Sequence, residues 1–581
     1  MKHRHAIARA LILVVAGLCG LTALVTEHGL RTPVLATRVL DAVAVVGFLV
    51  ELGLAWRWRS GTRSFLRARW LSLVLTVLLV VQVVLVFAMG SRLLAHGGSW
   101  WRPTSLTQMY LVVAQFYVVG VLFAHLPRLH RRFAQLRMRP GVAFVLVFAV
   151  VILVGASMLL LPRATPDDVD LSPLDALFTA TSAVCVTGLI VRDTATEFTR
   201  FGQVLILVLI QLGGLGIMSL SATMVLMLGR GISLRESQFM REVFQVPVLD
   251  GVSSVLRFIV LWTLASEAAG AILLYDQLDV LIRDPGERLF TAIFHAVSAF
   301  CNAGFSTYSD SLMSWSATGG ALWTVALLLV TGGLGFTVML ELLRRLRAFG
   351  QGTARSQQPR LGLQTRVVTA WTAGLLVAGA AGLALLEWNG ALAGLPWPRR
   401  LAQALFQSAT CRTAGFNSLD LNLLGPASLF LMVVLMFIGA GSGSTAGGVK
   451  INTVAVITSE IRAIAAGRRQ LRLRNREIDE VTARRATVVL TVSAMVGALG
   501  IFALLILEPL PPLSLVFEAV SALGTVGLSL GVTPQLSVGG KLVIIVLMFV
   551  GRLGVLTLAY ALARQAREDS VRMPNGRLMI G

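Results

Sequence analysis

Charge is scarce in this 581-residue sequence: Asp, Glu, Lys and Arg together make up 14%, against 56% hydrophobic residues. That balance excludes a chain of soluble domains. Cysteine is scarcer still, at four residues, which excludes a disulfide framework. Three of the four, Cys185, Cys301 and Cys411, fall in one recurring motif, where the expected role is a small buried apolar filler. The seven histidines form no His-Glu or Cys-His constellation within the apolar runs, and no Asp-Asp pair stands there. A polytopic membrane enzyme therefore remains only as an alternative of another class.

What the sequence has in abundance is uncharged apolar runs, many near the length that crosses ~30 Å of hydrocarbon. The formal charge of +21 is no argument for nucleic acid. The arginines gather in short stretches between apolar runs, at Arg57–Arg69, Arg128–Arg139, Arg344–Arg366 and Arg462–Arg485. This is the positive-inside pattern, and anionic lipid is the expected contact of Arg462–Arg485. Spans are expected over about 1–25, Val39–Trp56, Trp70–Met89 and Met109–Leu126, with Asp41 and Glu51 turning the second toward protein. No clear cleavage pattern follows the first run, which reads as a retained helix.

From Gly141 the chain repeats itself. Segments Thr181–Leu189, Phe294–Phe305, Gln407–Phe416 and Glu518–Leu528 are small, uncharged or nearly so, and end alike. Their last glycines stand at 188, 304, 415 and 527, a period of about 111–116 residues. Around each motif lie a first apolar helix (Gly141–Leu161, Val255–Tyr275, Val367–Glu387, Thr487–Leu507) and a second, beginning near Gln203, Leu322, Ser428 and Leu542. Intervening segments such as Ser172–Ser182 and Pro512–Ala522 are too short to span. They read as re-entrant helices, because irregular backbone at membrane depth must line a cavity or be buried in protein.

Two crossings per repeat give all four repeats one orientation, as a central pore requires; inverted-repeat carriers need an odd number. The expected fold is an all-α polytopic membrane protein with twelve spans and both termini cytoplasmic. It divides into four N-terminal transmembrane helices over 1–139 and repeats over 140–250, 251–350, 351–480 and 481–581. No Asp or Glu lies between the Ser or Thr of each motif and its last glycine. A carboxylate ring is thus excluded as the selector, which leaves carbonyl coordination. Arg412 is expected behind its loop, bonded to carbonyls.

Val186-Thr187-Gly188, Asn302-Ala303-Gly304, Thr413-Ala414-Gly415 and Thr525-Val526-Gly527 resemble the four filter loops of the Trk/Ktr/HKT superfamily of potassium transporters. The resemblance covers about 140–567. It implies K⁺ as the transported ion, no organic cofactor, a homodimer in the cell membrane and a separate cytoplasmic nucleotide-binding regulatory subunit. Sodium or sodium–potassium symport is the alternative within the family, whose sodium-preferring members often carry serine in the first loop. The glycine-rich interruption of the third repeat contains Gly439, Gly441, Gly443, Ser444, Thr445, Gly447, Gly448 and Lys450. It imitates a dinucleotide fingerprint but follows a membrane span rather than a strand. The resemblance implies that it is an intramembrane gate loop. Arg552, at the same depth of about 25 residues past its filter glycine, is implied to be the basic residue facing that loop.

Overall fold

The computed structural model describes residues 140–228, 252–317, 319–352, 360–468 and 470–555. The spans expected over 1–139, the Arg230–Arg241 loop and the tail from Arg564 lie outside these residues. Contacts divide the chain into a unit of 1–138 with 161–164 and a unit of 139–160 with 165–581; the helices below belong to the second.

The described residues are almost wholly helical, and their helices follow one order. A long first helix is followed by a short one and then by a second long element. The first helices are α1 (Pro140–Leu159), α4 (Val252–Gln277), α8 (Leu363–Glu387) and α12 (Glu480–Leu507). The short ones are α2 (Pro173–Val184), α5 (Pro285–Phe300), α9 (Trp397–Thr410) and α13 (Pro512–Gly524). Each short helix starts on a proline within its first two positions, where the missing N–H costs nothing. Ser172 and Asp284 cap α2 and α5 by accepting the N–H of Asp175 and Glu287 at 3.1 and 2.7 Å.

The second long elements differ most from one another. The first is α3 (Arg200–Leu228). The second is a pair, α6 (Gly319–Leu334) and α7 (Phe336–Gly350), bent by 107° at Gly335. The third is α10 (Pro426–Phe437) and α11 (Ile451–Ala465), separated by the glycine-rich stretch, and the fourth is α14 (Val538–Leu553). The sequence reading placed one interruption here, in the third repeat. The bend at Gly335 is a second, made possible by a φ of +92°. Arg344, Arg345 and Arg347, expected in a loop, lie on α7. The basic stretch after α11 carries a small hairpin, β1 (Arg472–Leu473) with β2 (Arg476–Glu477).

Among the described residues three helices are long and apolar enough to cross a membrane, Arg257–Gln277, Leu363–Glu387 and Glu480–Leu507, with the bent pair a fourth. Their outward faces expose Ile272, Leu385 and Phe502, which suits hydrocarbon rather than water.

A carboxylate at the end of a first helix repeatedly receives the start of the second. Glu387 accepts the N–H of Gly425 at 2.8 Å and the Ser428 hydroxyl at 2.5 Å, at the mouth of α10. Glu508 accepts the N–H and hydroxyl of Ser537, at 2.9 and 2.6 Å, at the mouth of α14. These bonds occupy donors that a helix start leaves open and place negative charge at its positive end. We expect Glu387→Ala to cost about 1–3 kcal/mol and to lower the thermal transition of detergent-solubilised protein. Glu477→Ala, on the exposed hairpin, should leave it unchanged.

Candidate functional site

Each short helix ends at a cysteine or its counterpart and runs straight into a buried turn. Cys185, Cys301 and Cys411 occupy the first position past α2, α5 and α9. The backbone then takes positive φ twice, at alternate residues: Val186 and Gly188, Asn302 and Gly304, Thr413 and Gly415, Thr525 and Gly527. Glycine accepts such a conformation freely. The β-branched Val186, Thr413 and Thr525 do not, and each such residue costs on the order of 1–3 kcal/mol. All twelve residues of the four triplets are buried.

The four turns touch in sequence. A Cβ built on Gly188 would lie 2.3 Å from the carbonyl oxygen of Ala303, and one on Gly304 would lie 2.8 Å from that of Ala414. On Gly415 it would lie 2.4 Å from the oxygen of Val526, and on Gly527 it would lie 2.0 Å from that of Thr187. Each glycine therefore abuts a carbonyl of the next loop, and the fourth meets the first. Serines hold the turns from behind. Ser182 and Ser521 accept the N–H of Gly188 and Gly527, both at 3.1 Å, and Ser298 donates to the Phe305 carbonyl at 2.8 Å.

The third loop departs from this pattern because it has one residue more. The positive-φ residue follows the cysteine directly at Val186 and Asn302, whereas Arg412 intervenes before Thr413. Arg412 is buried and donates to the carbonyl and hydroxyl of Thr372 on α8, at 3.4 and 3.3 Å. Ser408 turns the same way, donating to the Leu376 carbonyl at 3.0 Å.

Polar groups that the motif reading did not pair also lie behind the loops. His295 presents Nε2 to the Ser306 hydroxyl at 2.9 Å and Nδ1 to the Thr291 carbonyl at 2.8 Å. Glu518, fully buried on α13, accepts the hydroxyls of Ser529 and of Thr533, the latter at 3.0 Å. Both residues stand nine positions before their loop's last glycine and both engage the serine two positions after it. Glu267 on α4 accepts from Gln211 Nε2 at 3.3 Å and faces Cys301 Sγ at 3.8 Å. A buried acid inside an apolar run was the available signal for Glu267.

The glycine-rich stretch is fastened to the bend in the second repeat. Gly441 N–H donates to Gly333 O at 3.0 Å, Thr445 N–H to Gly332 O at 3.3 Å, and Phe336 N–H to Gly443 O at 3.0 Å. Gly439 and Val449 close the loop's base, with Gly439 N–H donating to Val449 O at 3.0 Å. The Ser444 hydroxyl returns to Gly441 O at 2.7 Å, and that of Thr445 reaches Phe300 O, at the end of α5, at 3.2 Å. Gly447 packs against the Thr525 side chain of the fourth turn, and Gly448 takes a φ of +66°. Arg552, 3% exposed, donates to the Thr445 carbonyl and, at 2.8 Å, to that of Gly213 on α3. Lys450 folds back on the Ala446 carbonyl of the loop.

Glycines on the second elements let these parts come together. A Cβ at Gly213, Gly332 or Gly551 would sit 2.1, 2.0 or 2.0 Å from the carbonyl oxygens of Val184, Phe300 or Leu523, at the ends of three short helices. Gly213→Ala and Gly551→Ala should therefore yield protein that fails to hold a monodisperse gel-filtration peak. Gly216→Ala, whose Cβ would meet only the Phe148 ring at 3.5 Å, should behave as wild type.

Three comparisons bear on this arrangement. A family model described as TrkH, cation transport protein, matches residues 110–572, starting ahead of the expected boundary at 140. The Ktr system potassium uptake protein B of Bacillus subtilis is 38% identical over 449 residues, which cover 77% of this chain and 97% of the relative. The potassium/sodium uptake protein NtpJ of Enterococcus hirae is 35% identical, covering 75% of this chain and 95% of its own. The crystal structure of the potassium transporter TrkH from Vibrio parahaemolyticus matches with a TM-score of 0.60 at 20% identity, over 85% of this chain and 98% of that one. That structure bears on the fold alone. The family match covers most of the sequence, and the chain belongs to the TrkH family of cation transport proteins, which makes it a membrane transporter and not an enzyme.

Proposed function

We propose that this chain takes up potassium across the plasma membrane through a central pore, surrounded by repeats over 140–250, 251–350, 351–480 and 481–581. The observation that carries the reading is the closed succession of four glycine-ended turns, each glycine at positive φ against a neighbour's carbonyl. In this reading Val186–Gly188, Asn302–Gly304, Thr413–Gly415 and Thr525–Gly527 are the selectivity filter. Their carbonyls replace the water of a dehydrated K⁺, and the short helices aim their partly negative C-terminal ends at it. The same chemistry admits Na⁺ only at a cost, because the loops are held apart by backbone contacts and cannot close around the smaller ion. The names of the Bacillus subtilis and Enterococcus hirae relatives, potassium uptake and potassium/sodium uptake, support the ion class.

The 439–450 stretch is the gate, and Arg552 is its latch. Arg552 is buried in the last turn of α14, where a charge without partners is costly; of the two carbonyl bonds that offset the cost, the one to Thr445 exists only while the loop stays in place. Its charge below the filter also repels the permeating ion. Opening then means that Thr445 leaves Arg552 and that the bonds to Gly332, Gly333 and Phe336 exchange partners. The full assembly is read as a homodimer, with both termini cytoplasmic and a soluble nucleotide-binding subunit on the basic loops; a co-purification that never recovers such a subunit would count against that part.

Rubidium flux into liposomes containing the purified protein, with and without sodium, tests the central reading. Wild type should move rubidium without a sodium requirement. Arg552→Gln should raise flux severalfold, and unchanged flux in a folded variant would sink the latch. Gly188→Ser adds a Cβ where the Ala303 carbonyl lies at 2.3 Å on a residue at φ +91°. It should cut potassium flux by about tenfold or more and raise the relative share of sodium. A wild-type protein that prefers sodium would overturn the carbonyl filter.

A further inference from the structure

The amino-terminal half of α8, the gate-linked helix α11 and the hairpin after it line a cavity of about 550 Å³. Its walls are of two kinds. Val367, Ala370, Trp371 and Leu375 of α8 form an apolar side, and Arg462, Arg468, Arg472 and Arg474 form a basic one. Arg484 pairs with Glu480; among the described residues Arg462, Arg468 and Arg474 enter no ion pair. Arg472 donates to Gln470 at 2.6 Å. Beyond the cavity α8 continues as a span whose outward face is bare and apolar, with Val377 and Leu385 66% and 81% exposed.

We propose that this cavity binds the phosphodiester headgroup of an anionic membrane phospholipid. The headgroup sits on the arginines, and the acyl chains run along α8 past Trp371. The two walls select this chemistry. Guanidinium groups match phosphate oxygens, a basic pocket between helices at the membrane surface favours anionic headgroups, and a tryptophan marks the interface depth. A soluble inorganic phosphate would leave the apolar wall uncovered.

The site has a consequence for transport. The helix α11 begins at Ile451, directly after Lys450 of the loop, and it supplies Ser459, Arg462 and Ala463 to the cavity. A lipid held between α8 and α11 restrains the segment from which the loop springs. This coupling rests on the gate assignment above; the binding site does not.

The test uses full-length protein in phosphatidylcholine vesicles doped with brominated phosphatidylglycerol, whose chains quench nearby tryptophan. The difference between wild type and Trp371→Phe isolates the Trp371 signal. Saturable quenching at low mole fraction is expected, and brominated phosphatidylcholine should give none. The triple variant R468Q/R472Q/R474Q should weaken it by roughly fivefold per arginine removed, whereas R344Q/R345Q/R347Q on α7 should leave it unchanged. If the first triple variant does not fold, R474Q alone, on the exposed hairpin turn, carries the comparison with a fivefold expectation.

Equal losses in both triple variants, or equal quenching by the two lipids, would refute the site. Reversal by millimolar glycerol phosphate in the aqueous phase would assign it to a free phosphate instead. A co-purified soluble protein that blocks quenching would assign it to a docking partner. Rubidium flux that follows phosphatidylglycerol content in wild type but not in the variant supports the coupling. Flux indifferent to the lipid while quenching persists refutes the coupling alone, and the Arg552→Gln flux separately decides the gate.

Discussion

Away from water, every backbone N–H and C=O must find a partner inside the protein, and the architecture of this chain follows from how it meets that demand where its helices stop. A continuous helix satisfies its own groups; a turn, a bend or a loop does not, and each unpaired group costs several kcal/mol in hydrocarbon. The chain interrupts its helices where the interruptions can serve one another. The bend at Gly335 frees groups at 332, 333 and 336, and the loop between α10 and α11 brings groups that match them. Side chains meet further groups, Ser182 and Ser521 at the turns and Arg552 and Lys450 at the loop among them.

Glycine does two different jobs in this scheme. At 188, 304, 415 and 527 it supplies a backbone conformation, and the strain at the accompanying β-branched residues shows how firmly the surroundings impose it. At 213, 332 and 551 it supplies absence of bulk, so that a second helix can lie against the carbonyl end of a short one. The first job shapes the turns, and the second fixes their separation. In the proposed reading a filter built this way resists shrinking, because an inward shift of one loop drives its carbonyl into the preceding loop's glycine.

Much of this was legible in the sequence. The four-fold period, the short helices and the unusual 439–450 stretch stand out because glycine and apolar runs are local signals. The bend at Gly335 did not, although Thr331-Gly332-Gly333-Leu334-Gly335 carries the composition for it; a kink tolerated within a helix and a break spell alike until the partner loop is seen. The proline within the first two positions of all four short helices is an equally local signal. The pairings of His295 with Ser306, Glu518 with Thr533 and Arg412 with Thr372 depend on contacts that no local pattern encodes. Arg412 is legible only after the turns are aligned by conformation, when it proves to be an extra residue. The N-terminal spans concern residues outside those described.

The departures from four-fold equivalence fall in neighbouring repeats: the third carries the inserted Arg412 and the break between α10 and α11, and the second carries the bend at Gly335 that faces that break. An assembly of four identical chains could not confine such changes to some of its subunits, since any change would appear four times. In the proposed reading, fusing the repeats into one polypeptide lets the first and fourth repeats stay fixed while the fastened breaks of the second and third exchange partners. Opening would then be an event of that pair, without the concerted transition that four equivalent gates would need.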